Sequence, residues 1–233
     1  MFLNILPDPN FKIDTAGLEN ASGVAGPGFL SETVRLVRPI ERDRARNGFM
    51  VRKTRKHSKW EITLNYNPLT LAEFDPVYNF LMQKRGTKKA FYVSLPQYKV
   101  PKDSTFATYA QGNSIPITSS SNVAGNRILE IDEPSGSIKV GDVFNVVDST
   151  DTTHKQAYMV ARVETSALNE TPPTAGSVRI HFFPGLQKDT PSGALVEFDG
   201  PLFKVKQKQD IQEYVLDNEN LYSFTVNLEE ALS

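Results

Sequence analysis

The 233-residue chain contains no cysteine. A disulfide framework, a thiolate metal site and a cysteine nucleophile are therefore excluded, and stability must come from packing or assembly. Histidine is nearly as scarce, with three in the chain, although it is the side chain most used for proton transfer near neutral pH. His57 sits in a basic run, His154 in the polar stretch Asp151-Thr152-Thr153-His154-Lys155, and His181 in Val178-Arg179-Ile180-His181-Phe182. No two of them have a metal-ligand spacing such as H-x-x-x-H, and no G-x-S-x-G accompanies them. Net charge is also missing: 26 basic and 27 acidic residues leave -1, too little to draw the whole chain to nucleic acid or to an anionic membrane. No apolar run reaches membrane-spanning length. The opening Met1 to Leu6 is cut short by Pro7, Asp8 and Pro9 and has no basic residue before it, unlike a secretory leader.

Two nucleotide and metal signatures are absent as well. The run Gly23-Val24-Ala25-Gly26-Pro27-Gly28 neither follows a strand nor opens a helix, and no G-x-x-x-x-G-K-[ST] occurs. Asp142, Asp148 and Asp151 lack the loop glycine and closing glutamate of a calcium loop. The sequence thus assigns no catalytic, cofactor-binding or metal residue, and the expectation is a chain without enzymatic activity or cofactor.

What is present is β patterning. Trp60-Glu61-Ile62-Thr63-Leu64-Asn65-Tyr66 and Tyr222-Ser223-Phe224-Thr225-Val226-Asn227-Leu228 share one design, in which large apolar residues alternate with Glu or Ser, Thr and Asn. Each predicts a strand with one buried face. Their placement far apart in the chain is explained most simply if both belong to one sheet, with part of the intervening chain an insertion. Residues 1–33, rich in Pro, Gly and Asn, read as an extended arm and loop suited to packing on neighbours. Val34 to Val37 and Phe49 to Val51 flank Asp43-Arg44-Ala45-Arg46-Asn47-Gly48, and Asn-Gly between strands predicts a hairpin.

One helix is predicted over 70–85. Thr70-Leu71-Ala72-Glu73 has the form of a capping box, and Phe74, Val77, Tyr78 and Leu81 share a face. Pro76 within the run suggests that regular helix starts with Asp75 as cap, after a turn over 70–74, and Gly86 marks the stop. Phe91 to Leu95 then alternates as a strand. From 105 to 201 short β-like runs, Ile128–Ile131, Val143–Val147, Ala157–Val163, Val178–Phe182 and Leu195–Phe198, are broken by Gly, Pro, Ser and Asn, which predicts an inserted small β-barrel or sandwich. The final section holds Tyr214-Val215-Leu216, a turn over 217–220 and the Tyr222 strand, a closing hairpin. The fold class is mainly β. Its main domain comprises residues 34–104 plus 202–233, and the inserted domain 105–201.

Charge is local rather than global. Between Arg35 and Lys59 lie 10 of the 26 basic residues, including Arg42, Arg44, Arg46, Arg52, Lys53, Arg55 and Lys56. Such a run is either the solvated side of a hairpin or an electrostatic contact for a phosphate backbone or an acidic protein surface; the aromatic interleaving of single-strand binders is missing. Glu213, Asp217 and Glu219 near the other end of the chain supply a complement, so the basic hairpin of one copy and the acidic edge of the next form the candidate subunit interface.

The stretches Lys59-Trp60-Glu61-Ile62-Thr63-Leu64-Asn65-Tyr66-Asn67-Pro68-Leu69-Thr70, Glu73-Phe74-Asp75-Pro76-Val77-Tyr78-Asn79-Phe80-Leu81, Arg85-Gly86 and Phe91-Tyr92-Val93-Ser94-Leu95-Pro96 resemble a family of tail proteins of tailed bacteriophages. The end of the chain is similar too, with Gln212-Glu213-Tyr214, Leu221 to Val226 and Glu229-Glu230-Ala231-Leu232. The resemblance covers residues 59–98 and 204–232 and leaves the middle unmatched. It implies a distal tail or baseplate hub protein: a tail-tube-like β-barrel or sandwich with one flanking helix, in a homo-oligomeric, hexameric ring around the channel through which DNA passes. It implies a place in the virion after assembly in the host cytoplasm, other tail and baseplate proteins as partners, and no membrane. Two other classes stand beside it. A carbohydrate-binding β module would present exposed aromatics, with Tyr92, Tyr98, Tyr109, Tyr158 and Phe183 as candidates. A hydrolase of cell-wall polymer would need paired carboxylates in a cleft or a metal site.

Overall fold

The structure, a computed structural model, describes residues 4–12, 22–38, 40–44, 50–54, 58–120, 122–151, 154, 156–165, 173–210 and 213–231, with 40–44 and 50–54 described by their backbone. Among the described residues the chain is mainly β, 41% strand and 14% helical with two α-helices. It divides into two compact units. Unit 1 holds Met1–Arg35, Trp60–Leu95 and Phe203–Ala231, and unit 2 holds Leu36–Lys59, Pro96–Leu202 and Leu232–Ser233.

In chain order the elements begin with β1 (Phe29–Val37), β2 (Ile40–Arg44), β3 (Met50–Thr54), β4 (Lys59–Tyr66), α1 (Leu71–Lys84) and β5 (Phe91–Ser94). They continue with α2 (Ser104–Ala110), β6 (Ile115–Pro116), β7 (Ile128–Asp132), β8 (Val143–Val147), β9 (Ala157–Glu164), β10 (Ser177–Phe183) and β11 (Leu195–Glu197). The last three are β12 (Leu202–Gln207), β13 (Tyr214–Leu216) and β14 (Tyr222–Glu230).

The main sheet of unit 1 runs β1-β4-β14-β12-β5, with β13 paired to β14. β4 and β14 are antiparallel neighbours, Ile62 opposite Leu228 and Leu64 opposite Val226, so the two like-patterned segments share one ladder. Because side chains alternate across a strand, Trp60, Ile62, Leu64 and Tyr66 enter the core together with Phe224, Val226 and Leu228. Burying each such side chain contributes about 1.5–3 kcal/mol. Two buried polar groups add ties, one between neighbouring strands and one from sheet to helix. The Glu230 carboxylate accepts the Trp60 backbone N–H at 3.0 Å, and the Gln207 amide donates to the Leu81 carbonyl at 2.9 Å, one of the last carbonyls of α1 that no helical N–H reaches.

α1 starts earlier than the proline suggested. The Thr70 N–H and hydroxyl both donate to the Glu73 carboxylate, at 2.9 and 2.7 Å, and Phe74 N–H donates to Thr70 O. Pro76 therefore lies inside the helix. It forfeits the hydrogen bond to Ala72 O, an exposed residue whose carbonyl water can serve, while burial of Phe74, Val77, Phe80 and Leu81 holds the helix in place. The stop comes one residue sooner than Gly86: Arg85 is itself left-handed, at φ 55.

Two further differences concern the N-terminal half. Leu6 N–H donates to Tyr92 O at 2.8 Å and Tyr92 N–H to Asn4 O at 2.7 Å, so residues 4–6 pair beside β5 within unit 1. The strand read from Val34 begins at Phe29 and belongs to the main sheet. The partner of β3 is instead the charged segment β2, which has no apolar alternation to announce it; residues 45–49, with the Asn47-Gly48 turn, lie outside the described residues.

Unit 2 contains a sheet in the order β6-β11-β8-β9-β10-β7. A bridge from Ile117 to Ile131 joins the two ends of that order, around a core of Phe144, Tyr158, Phe182 and Phe198 whose neighbouring rings stand 5.2–5.5 Å apart. The sequence reading missed α2, which Asp103 caps by accepting Phe106 N–H at 2.9 Å. Phe106, Ala107 and Ala110 form its short buried face.

Candidate functional site: the acidic, aromatic edge of unit 1

β12 and β13 both pair with β14, at different ends. Gln207 lies opposite Leu228 and Lys208 N–H donates to Asn227 O at 2.9 Å; contact resumes with Tyr214 opposite Phe224. Among the described residues no pairing with β14 lies between those points. Asp210 lies in that interval: its carboxylate accepts the Thr87 N–H at 2.9 Å and the Thr87 hydroxyl at 2.8 Å, bonds that hold its pKa below the usual carboxylate value. Gly86 lies beneath it at φ 60, where a β-carbon would overlap Asp210. A groove of about 810 Å³ lies beside β14, lined among others by Tyr66, Asp210, Glu213, Tyr214, Phe224 and Asn227.

The edge next to the groove is apolar and exposed. Every residue of β13 is exposed, with Tyr214 at 45%, Val215 at 66% and Leu216 at 48%. Aromatic packing from α1 supports it: Phe74 stacks on Tyr222 at 4.4 Å and on Tyr78 at 5.0 Å, and meets Tyr214 at 5.1 Å and Phe224 at 5.5 Å. Offset and edge-on ring pairs each contribute about 0.5–1.5 kcal/mol beyond the area they bury. Among the described residues β13 pairs with β14 alone, so its other backbone edge is open. The turn that follows is fixed by Asp217, which accepts Glu219 N–H at 2.9 Å and Leu221 N–H at 2.8 Å, with Asn220 left-handed at φ 59.

The predicted acids come together here: Glu213, Asp217 and Glu219 are all exposed on or beside the β13–β14 hairpin. The predicted bases are placed less completely. Arg42, Arg44, Arg52 and Lys53 lie on the backbone of the β2–β3 ladder, Arg42 opposite Arg52 and Lys53 opposite Glu41. Arg46, Arg55 and Lys56 lie outside the described residues. The aromatic platform was missed. Its signal was the set of Phe74 and Tyr78 on a helix and Tyr214, Tyr222 and Phe224 on a hairpin, but only tertiary pairing brings the two together.

The solvent face of the main sheet is a polar ladder. Asn65 donates to the Ser31 hydroxyl at 2.9 Å and accepts from Thr225 at 2.9 Å, and Thr63 donates to Asn227 at 3.0 Å. Glu61 is bridged by Arg35 and Lys208, and these cations lower its pKa, the Arg35 hydrogen bond most. Such exposed pairs set register more than they stabilise.

The residues considered for chemistry occupy structural places. His154 is buried, with Nε2 2.7 Å from the Tyr158 hydroxyl, and His181 lies 3.0 Å from Glu164; His57 is outside the described residues. Asp142 receives Lys102 and Lys139 N–H groups, Asp148 receives Thr150, and Asp151 pairs with Lys188. Among the described residues no group of three or more His, Asp or Glu side chains is placed to hold a metal ion. The glycan candidates are divided between the two units. Tyr92 is on β5 of unit 1 with its phenol pKa raised by burial; Tyr158 is wholly buried in the core of unit 2, Tyr109 packs against that core, and the Phe183 ring carries the guanidinium groups of Arg38 and Arg127, 4.6 and 5.1 Å from its centre. No helix among the described residues is long and apolar enough to cross a membrane. No protein-family model matches this chain, and no curated protein matches it.

Proposed function

We propose that this chain is a structural subunit of a bacteriophage tail, a distal tail or baseplate hub protein that assembles as a ring and joins the tail tube to peripheral baseplate or receptor-binding parts. The observation that carries the reading is the composition of unit 1. The stretches on which the resemblance rests, residues 59–98 and 204–232, supply the β4–β14 ladder, the capped helix α1 packed by Phe74 and Leu81, and strands β5 and β12 of one sheet. In this reading unit 1 is the tail-tube-like platform, residues 105–201 are an inserted β domain available to peripheral components, and DNA passes through the ring without sequence readout. The exposed β13 edge with its acids is the kind of surface a ring subunit presents, because closed rings are built from two different, complementary patches on each copy.

The test is direct. The purified full chain is followed by native mass spectrometry and electron microscopy over rising concentration, and a closed ring of six copies around a central hole is the expected product. A chain that stays monomeric at the highest concentrations and is absent from purified tails overturns the reading.

A further inference from the structure

We infer that the groove and open strand edge at β13 receive the β2–β3 hairpin of a second copy of this chain, which adds a strand to β13 and sets its basic residues against Glu213 and Glu219. The inference rests on the ring reading and specifies which surfaces meet.

Three observations converge on it. The first is an unused backbone edge on each side. Among the described residues β13 pairs with β14 alone, and β2 and β3 pair only with each other. An open edge is a template for another strand. The second is charge. The acids beside β13 are exposed, and Asp210 in the groove is held ionised by Thr87. Against them the hairpin segment carries Arg42, Arg44, Arg46, Arg52, Lys53, Arg55 and Lys56 in the sequence. The backbone register pairs Arg42 with Arg52 and Lys53 with Glu41. A two-stranded ladder is marginal by itself, so a further strand alongside stabilises it. The third is apolar area. Tyr214, Val215 and Leu216 stand in solvent, and Phe74 stacked on Tyr222 holds Tyr214 in place before any partner arrives. A preordered apolar edge spares the ordering cost of association.

The absence of cysteine makes the test clean. One chain carries Val215→Cys, a second carries Arg44→Cys, and the two are mixed in mild oxidant. Disulfide-linked mixed dimers are expected to form at least about tenfold faster than dimers of either chain alone, because docking raises the effective concentration of the pair. Glu213→Lys with Glu219→Lys on the Val215→Cys chain removes the excess; Asp217 is left in place because its carboxylate holds the turn. Adding Arg42→Glu, Arg52→Glu and Lys53→Glu to the Arg44→Cys chain restores cross-linking to the reversed partner, a recovery that misfolding cannot produce. No mixed-dimer excess, or an excess indifferent to the reversals, overturns the inference. Rings that form without this cross-link leave the assembly reading standing and remove only the docking; neither rings nor cross-link removes both.

Discussion

Trp60 joins a side-chain contact and a backbone contact at one position. Its ring meets Phe203 edge-on at 6.0 Å and is 4% exposed, while its N–H is bound by the buried Glu230 carboxylate. Trp60→Ala is expected to cost about 3–5 kcal/mol by loss of ring burial and creation of a cavity, read as a lower urea midpoint with unchanged slope. An unshifted midpoint refutes the core assignment. Glu32 on β1 gives a pH signature. Its pKa is raised, first by burial and then by the Asp8 carboxylate. A carboxyl group with a folded pKa above its unfolded value binds its proton more tightly in the folded state, so its contribution is fully present below about pH 4.3 and is lost as pH rises through the folded value. Glu32→Gln is therefore expected to melt higher than the parent at neutral pH and to lose that advantage in acid. A difference that grows as pH falls contradicts the sign.

At the scale of elements, α1 is held by its start, its face and its end. Thr70→Ala removes the hydroxyl of the cap and is expected to cost about 0.5–2 kcal/mol. Gln207→Ala leaves the Leu81 carbonyl buried without its amide donor and is expected to cost about 1–3 kcal/mol. Equal melting temperatures for either variant and the parent remove the corresponding contact from the account. This helix also shows where sequence was legible. The capping box and the Phe74, Val77 and Leu81 spacing located it, but local propensity at Pro76 argued for a later start, and the buried face overrode it. The β4 and β14 strands were legible because one face is buried and alternation records it. β2 was not, because a charged two-stranded ladder needs no apolar pattern, and α2 was too short for its period to stand out from the turns around it. The acids at the candidate edge were visible as residues; the groove beside them is lined in part by Asp210, whose bond to Thr87 is a contact between distant segments that no local pattern encodes.

For the whole molecule, two cores built from different residues imply two cooperative transitions, and a single two-state unfolding curve is not expected. Leu64→Ala in unit 1 is expected to cost about 2–5 kcal/mol and Phe144→Ala in unit 2 about 3–5 kcal/mol. In calorimetry each is expected to lower one transition and leave the other. Movement of both together by either variant shows that the cores unfold as one. The ladder between β4 and β14 also fixes an order of events during translation. Residues 96–202, which make most of unit 2, leave the ribosome while β4 still has an empty place where β14 will lie. The nascent chain can complete its second unit before its first, and until Tyr222–Glu230 emerges β4 keeps an unpaired edge, a liability of the kind chaperones attend.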